Sequence, residues 1–275
     1  MQSSILMIHG FACGGDMWRP LSGLLEARGW RCDAPTLFQH LRTIGCASTE
    51  LAHLKLGDYV RAAEDYARQL GDEDGTPPII IGHGMGGLIA QKLVERDVAS
   101  GAIFMSPFAP ADCGPAFRSG AVAYANILLT PASERAGAVI KPWRQGAAWG
   151  MLHGLPKAMR DDILDRLRFE SGSLFNELET LESESTGAGR IDTQAIRTPT
   201  LTVAAERDRV SSARIVRKIA EKYAAAPCPG TFIEYSGVGH WLPDGQALNR
   251  LVHDFDNWMR QVSNCAPVSL TASVR

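Results

Sequence analysis

Ile79-Ile80-Ile81-Gly82-His83-Gly84-Met85-Gly86-Gly87 is the stretch that decides the fold. Three consecutive isoleucines after Pro77-Pro78 read as a strand buried on both faces, because a half-exposed strand alternates apolar and polar residues. The run ends in a cluster of glycines, and Gly86 to Arg96 then has the pattern of a helix. A strand that turns at once into a helix leaves its central residue, Gly84, on a sharp turn with positive φ. The residues two before and two after must be small, because strand and helix approach closely there. Gly82 and Gly86 meet that need.

Working outward, the same alternation recurs. Ile5–Ile8, Trp30–Ala34, Ala102–Met105, Thr200–Ala204 and Phe232–Tyr235 read as further strands. Trp18–Arg28 and Leu56–Leu70 read as helices, the second with Tyr59, Ala62, Ala63, Tyr66 and Leu70 near one face. Strands alternating with helices predict a mostly parallel, doubly wound sheet with helices on both faces. The rhythm breaks between residues 108 and 196. That stretch has no strand-like run, contains Trp143, Trp149 and helical segments such as Arg160–Phe169, and has a loop-like Ser183–Gly189. The expected organisation is an α/β core from 1–107 and 197–265, a helical cap from 108–196, and a loose tail from 266–275.

The glycine cluster has two readings. Gly82, Gly84 and Gly87 fit a dinucleotide-binding G-x-G-x-x-G turn. The cluster also fits the setting of a nucleophile elbow, G-x-S-x-G. The strand lies in mid-chain rather than opening the first βαβ unit, which disfavours the dinucleotide reading. Three other loops favour the elbow. His9-Gly10-Phe11 follows the first strand, Ala205-Glu206-Arg207-Asp208 follows a later one, and Gly237-Val238-Gly239-His240-Trp241 follows the last.

With these residues the chain resembles the α/β-hydrolase superfamily, specifically its capped esterase-like and lactonase-like members with a G-H-S-M-G-G elbow. The resemblance runs from Ile5 to Trp241 and is least specific in the cap. It implies Asp208 as the acid and His240 as the histidine of a catalytic triad, with Glu206 as the rival carboxylate. It implies that the backbone N–H groups of Phe11 and Met85 would face a developing oxyanion. His9 is expected to order its loop. The sequence departs from the pattern at one position, because Gly84 stands where the family has serine.

Without a hydroxyl, the covalent acyl-enzyme of the serine mechanism cannot form. Three readings follow. A parental serine at 84 has been replaced, leaving an inactivated hydrolase. Alternatively, Gly84 is native, and the His240–Asp208 dyad activates water or removes a substrate proton, as in lyase or cofactor-free chemistry. In the third, the chain is a ligand-binding pseudo-hydrolase. The first is favoured because every other part is retained. Cys13, Ser106 and His83 lie near the motifs, but a small buried thiol, a Ser-Pro turn and a side chain turned away from the site explain them more simply.

Phe108, Trp143 and Trp149, with Phe117, Met151 and Met85, are candidates to line an apolar pocket under the cap. Lysine and arginine are scarce around the motifs. The expected substrate is therefore a small, fairly apolar carboxylic ester, amide or lactone.

Composition agrees with an ordinary globular protein: 275 residues, 45% hydrophobic, 21% charged. Lysine and arginine number 28 against 30 acidic residues, so nothing in the charge favours nucleic acid or an anionic membrane. No run reaches the ~18 apolar residues that span a bilayer, and no basic leader precedes an apolar segment. Six scattered cysteines without a C-x-x-C pair disfavour zinc and a disulfide framework, and fit a cytoplasmic location. The expected partner is a small-molecule substrate, with no metal, no organic cofactor, no nucleic acid and no membrane. A homodimer is compatible with all of this.

Overall fold

The computed structural model describes residues 4–114, 120–183 and 189–265. The chain opens with β1 (Ile5–Ile8), whose four residues are all buried. Helix α1 (Arg19–Glu26) starts with proline in its first turn and leads to the short β2 (Cys32–Asp33). Helix α2 (Leu56–Asp74) buries Leu56, Tyr59, Val60, Ala63, Ala67 and Leu70. It runs four residues past the expected end and stops at Gly75, where φ is +70°. Tyr66, expected on the apolar face, is exposed.

Next come β3 (Ile79–His83), α3 (Met85–Glu95) and β4 (Gly101–Met105). Every residue of β3 and β4 is buried. After the inserted segment the sheet resumes with β7 (Thr200–Ala205) and β8 (Thr231–Tyr235), β5 and β6 being two-residue strands within the insertion, Val139–Ile140 and Glu170–Ser171. The six long-sheet strands lie in the order β2-β1-β3-β4-β7-β8, and every neighbouring pair is parallel. The parallel sheet with flanking helices is as the sequence predicts.

Between β1 and β3 the strand order reverses. Loops leaving the carboxyl ends of these two strands therefore diverge and open a crevice, the usual ligand position in such sheets. His9-Gly10-Phe11 leaves β1 there, and Gly84 leaves β3.

The inserted segment is mostly helical: Ala125–Leu128, Ala132–Arg135, Arg144–Gly150, Lys157–Arg166 and Gly172–Glu179. It also holds the antiparallel β5–β6 pair, which the sequence reading missed. Strands of two residues are too short to show alternation. The expected helix Arg160–Phe169 is shifted to Lys157–Arg166. Its last three residues lie outside the helix, and Arg168 N–H donates to the Ala12 carbonyl at 2.8 Å. Phe117, the stretch 184–188 of the expected loop and the 266–275 tail lie outside the described residues.

Candidate active site

Gly84 makes the turn between β3 and α3, with φ +56° and ψ −119°. A side chain is strained at such a φ, and glycine is not. The neighbouring glycines are required by space. A Cβ on Gly82 would lie 2.1 Å from the Gly86 carbonyl oxygen, and one on Gly86 would lie 2.1 Å from that of Ile8. At Gly84 there is room. A Cβ there would meet His240 Nε2 at 3.7 Å and no closer atom.

His240 and Asp208 come together from the ends of β8 and β7. His240 Nδ1 donates to Asp208 Oδ2 at 2.9 Å, and both residues are buried. The other carboxylate oxygen, Oδ1, accepts from Val210 N–H at 2.7 Å and Ser211 N–H at 2.8 Å. One side chain thus fastens its own turn and orients the imidazole. Ser212, rather than Asp208, is the N-cap of the following helix, Ala213–Ala224. Glu206, the rival acid, points elsewhere: it is exposed and accepts from Gly237 N–H at 2.6 Å, bracing the histidine loop.

His83 packs its ring against His240, with centroids 4.6 Å apart, and its Nε2 donates to the His240 carbonyl at 2.9 Å. His83 is among the residues that border the cavity. The end of β3 lies directly under the histidine loop, and this sets its direction. Burial, with the neighbouring His240, lowers the His83 pKa to about 3. His83 is therefore a neutral support for the loop. His9 is also neutral. Burial and the Arg42 guanidinium lower its pKa to about 3. Its Nδ1 lies 2.9 Å from the Gly10 carbonyl, and its Nε2 accepts from Leu37 N–H at 3.0 Å.

Phe11 and Met85 both border the cavity. Among the described residues neither backbone N–H donates to another backbone group, which leaves both available. Met85 opens α3, where the first N–H groups of a helix have no internal partner. Cys13 borders the same cavity, but burial raises its thiol to about 12, so it is not a thiolate near neutrality. Ser106 is buried at a positive φ of 42°, its hydroxyl has no partner among the described residues, and it is not among those that border the cavity.

The cavity itself is small, about 30 Å³, room for about two waters. Apolar side chains from Phe108, Tyr124, Met151, Leu178 and Val210 close it. Phe108 and Met151 are among the residues the sequence points to for this wall. Tyr124, Leu178 and Val210 are not, although Val210 closes the acid loop two residues beyond Asp208. Trp143 and Trp149 were expected in this wall, and the structure places both outside it. They are 44% and 43% exposed. Trp149 instead covers Arg209, its ring centroid 4.4 Å from the guanidinium carbon. Among the described residues no group of three or more His, Cys, Asp or Glu side chains is placed to hold a metal ion. None of the helices searched is long and apolar enough to cross a membrane.

A family model described as "Alpha/beta hydrolase family" matches residues 5–252. The chain belongs to the alpha/beta hydrolase family. Solved structures agree on the fold. The methylesterase MES16 from Arabidopsis superposes with a TM-score of 0.65 at 16% identity, covering 96% of this chain and 100% of that one. A pyrethroid hydrolase from Sphingobium faniae JZ-2 gives 0.63 at 18%, covering 95% and 99%. The putative non-heme bromoperoxidase BpoC from Mycobacterium tuberculosis H37Rv gives 0.66 at 17%, covering 95% and 93%. No curated protein sequence matches the chain. In keeping with the family, the six-stranded sheet has the α/β-hydrolase fold.

Proposed function

We propose that this chain is a carboxylic-ester-type hydrolase whose nucleophile position is occupied by Gly84, so that it represents an inactivated form of a serine enzyme. The observation that carries the reading is the space at Gly84: a Cβ built there stands 3.7 Å from His240 Nε2. A serine oxygen, about 1.4 Å beyond that Cβ, comes within hydrogen-bond reach of the imidazole. His240, oriented by Asp208, would then take the hydroxyl proton. The N–H groups of Phe11 and Met85 would hold the developing oxyanion. With glycine the covalent route is closed, and the frame that would serve it is intact.

The cavity wall supports a small, fairly apolar ester, amide or lactone as substrate. Its named apolar residues carry no charge, and among the described residues the titratable groups at its edge are His83, His240, Cys13 and Tyr124. Ligand pockets generally span roughly 300–1,000 Å³, so the inserted segment acts as a cap that must shift to admit substrate. The structurally similar methylesterase and pyrethroid hydrolase are compatible with ester chemistry on this frame. No metal or organic cofactor is called for by the reading. Its partner is a small molecule rather than nucleic acid or membrane.

A second reading, hydrolysis by native Gly84, is favoured by one observation. The cavity beside Gly84 and His240 has room for water, which the dyad could activate for direct attack. The test compares the chain as it stands with Gly84→Ser on short-chain p-nitrophenyl esters. A gain of at least about 10³-fold in kcat is expected for the serine form, since loss of a nucleophile costs several orders of magnitude. If the serine form stays inert while the glycine form turns over and His240→Ala abolishes that turnover, the water reading replaces the first.

A further inference from the structure

The loop that carries Phe11 is held from the insertion. Ala12, the next residue, has a positive φ of 58° and is fully buried. Its carbonyl accepts from Arg168 N–H at 2.8 Å, and its N–H donates to Glu170 Oε2 at 3.3 Å. Both partners belong to one short stretch of the insertion leading into β6, so Ala12 is gripped on its two backbone groups by the same segment. The ring of Phe11 is held from that side too, with Tyr124 and Phe175 each 5.6 Å away in edge-on contact.

Glu170 is itself tightly fixed. Its side chain and that of Arg42 are wholly inaccessible to solvent and form an ion pair. Tyr59 Oη donates to its other oxygen, Oε1, as does Ser171 N–H at 3.2 Å. Arg42 also donates to the Leu37 and Phe169 carbonyls, each at 3.2 Å, and its second terminal nitrogen lies 3.2 Å from His9 Nε2. A buried carboxylate with this many donors has its lone pairs committed, and its direction is set. The ion pair and its hydrogen bonds therefore join four parts of the chain: the insertion, the loop after β2 that carries Arg42, α2 through Tyr59, and the loop after β1 through His9 and Ala12.

We propose that Glu170 is a positioning residue for the oxyanion-binding loop: by holding the Ala12 N–H it turns the adjoining Phe11 N–H toward the cavity. The proposal rests on the reading of Phe11 as an oxyanion donor. It assigns a second task to the insertion, which shapes one donor of the site as well as covering it.

Glu170→Gln is the informative variant. An amide of the same shape must present its NH₂ either to the Arg42 and Ala12 donors or to Tyr59 and Ser171, so one pair of donors loses its acceptor. In the Gly84→Ser background, kcat should fall about 10- to 100-fold with KM changed less than about threefold, a fraction of the 10²–10³ that losing an oxyanion donor costs. In the full chain as it stands, the Phe11 and Ala12 amide resonances should move while those of Asp208 and His240 stay. Should Glu170→Gln fail to fold, Tyr59→Phe loosens the same carboxylate; about a threefold fall in kcat and smaller shifts of the same two amides are expected. A folded variant with kcat and both amides unchanged overturns the proposal, as does a rise in KM with kcat unchanged. If the serine form is inert on every ester but the two amides still move, the hydrolase reading fails and the positioning stands.

Discussion

The elbow, the acid turn and the histidine loop all leave strand ends of the central sheet, whereas the wall that closes the site comes largely from the insertion. The two regions are built by different means. In the sheet, position follows from backbone sterics. Gly82 and Gly86 leave no space for a Cβ, and buried parallel strands fix where each loop begins. In the insertion, the helices are short, two aromatic side chains lie half exposed, and the decisive contact is a buried ion pair between residues 128 apart in sequence. The difference separates chemistry from access. On the proposed reading, the reacting groups sit where the fold leaves little freedom, and substrate selection and loop positioning fall to the part held by side chains.

That contrast can be broken at several points. The largest effect is expected at the acid. In the Gly84→Ser form, Asp208→Asn should lower kcat about 10⁴-fold, because the imidazole loses its orientation and tautomer. Steady-state kinetics with a melting curve would check it. A loss below tenfold would mean that Glu206 or another group carries the role.

Gly86→Ala should cost more than about 3 kcal/mol or prevent folding, since the new methyl would lie 2.1 Å from a β1 carbonyl. Denaturant titration measures it. A near-neutral result would mean that elbow and β1 are not packed as described.

Acidification tests the two buried neutral histidines. His9 and His83 have folded pKa values near 3, below the unfolded value of about 6.5. In the window between these values the unfolded chain binds more protons than the folded one. Their stabilisation is thus complete above about 6.5 and drains away as pH falls toward 3, by up to about 1.4 kcal/mol per pH unit for each. Unfolding free energies at pH 7, 6, 5 and 4 should show this slope, and His83→Gln should flatten it. A slope indifferent to His83→Gln would place that ring in water.

The smallest effect is expected where the sequence reading placed substrate contacts. Trp143→Ala and Trp149→Ala should each leave kcat/KM of the serine form within about twofold, as exposed positions usually do. Trp149→Ala should cost about 0.5–1 kcal/mol of stability through its lost stacking on Arg209. A tenfold loss of activity in either would return these residues to the site.

This pattern also explains what could be read in the sequence. All six strands of the long sheet were legible; the buried central ones are nearly unbroken apolar runs, as Ile79-Ile80-Ile81 shows, while the partly exposed edge strands Cys32–Asp33 and Thr231–Tyr235 were placed by the alternation with helices. Asp208 and His240 were legible through their loops and their order along the chain, and the structure brings them within hydrogen-bond distance. Arg42 and Glu170 were not. Arg42 stands in a loop and Glu170 in a strand of two residues, neither with a local pattern, and a charge in such a stretch is read as solvated unless its distant partner is known. Trp143 and Trp149 misled for a related reason. Aromatic content marks apolar surface, but the short helices of the insertion have too few residues to show which face turns inward.

The most direct measurement is covalent. The chain as it stands and its Gly84→Ser form are incubated with a fluorophosphonate and analysed by intact and peptide mass spectrometry. One adduct should form, on the peptide carrying position 84, in the serine form alone, and His240→Ala in that background should suppress it. Absence of the adduct in a correctly folded serine form, or an equal adduct in the glycine form, would contradict the assignment of Gly84 to the nucleophile position.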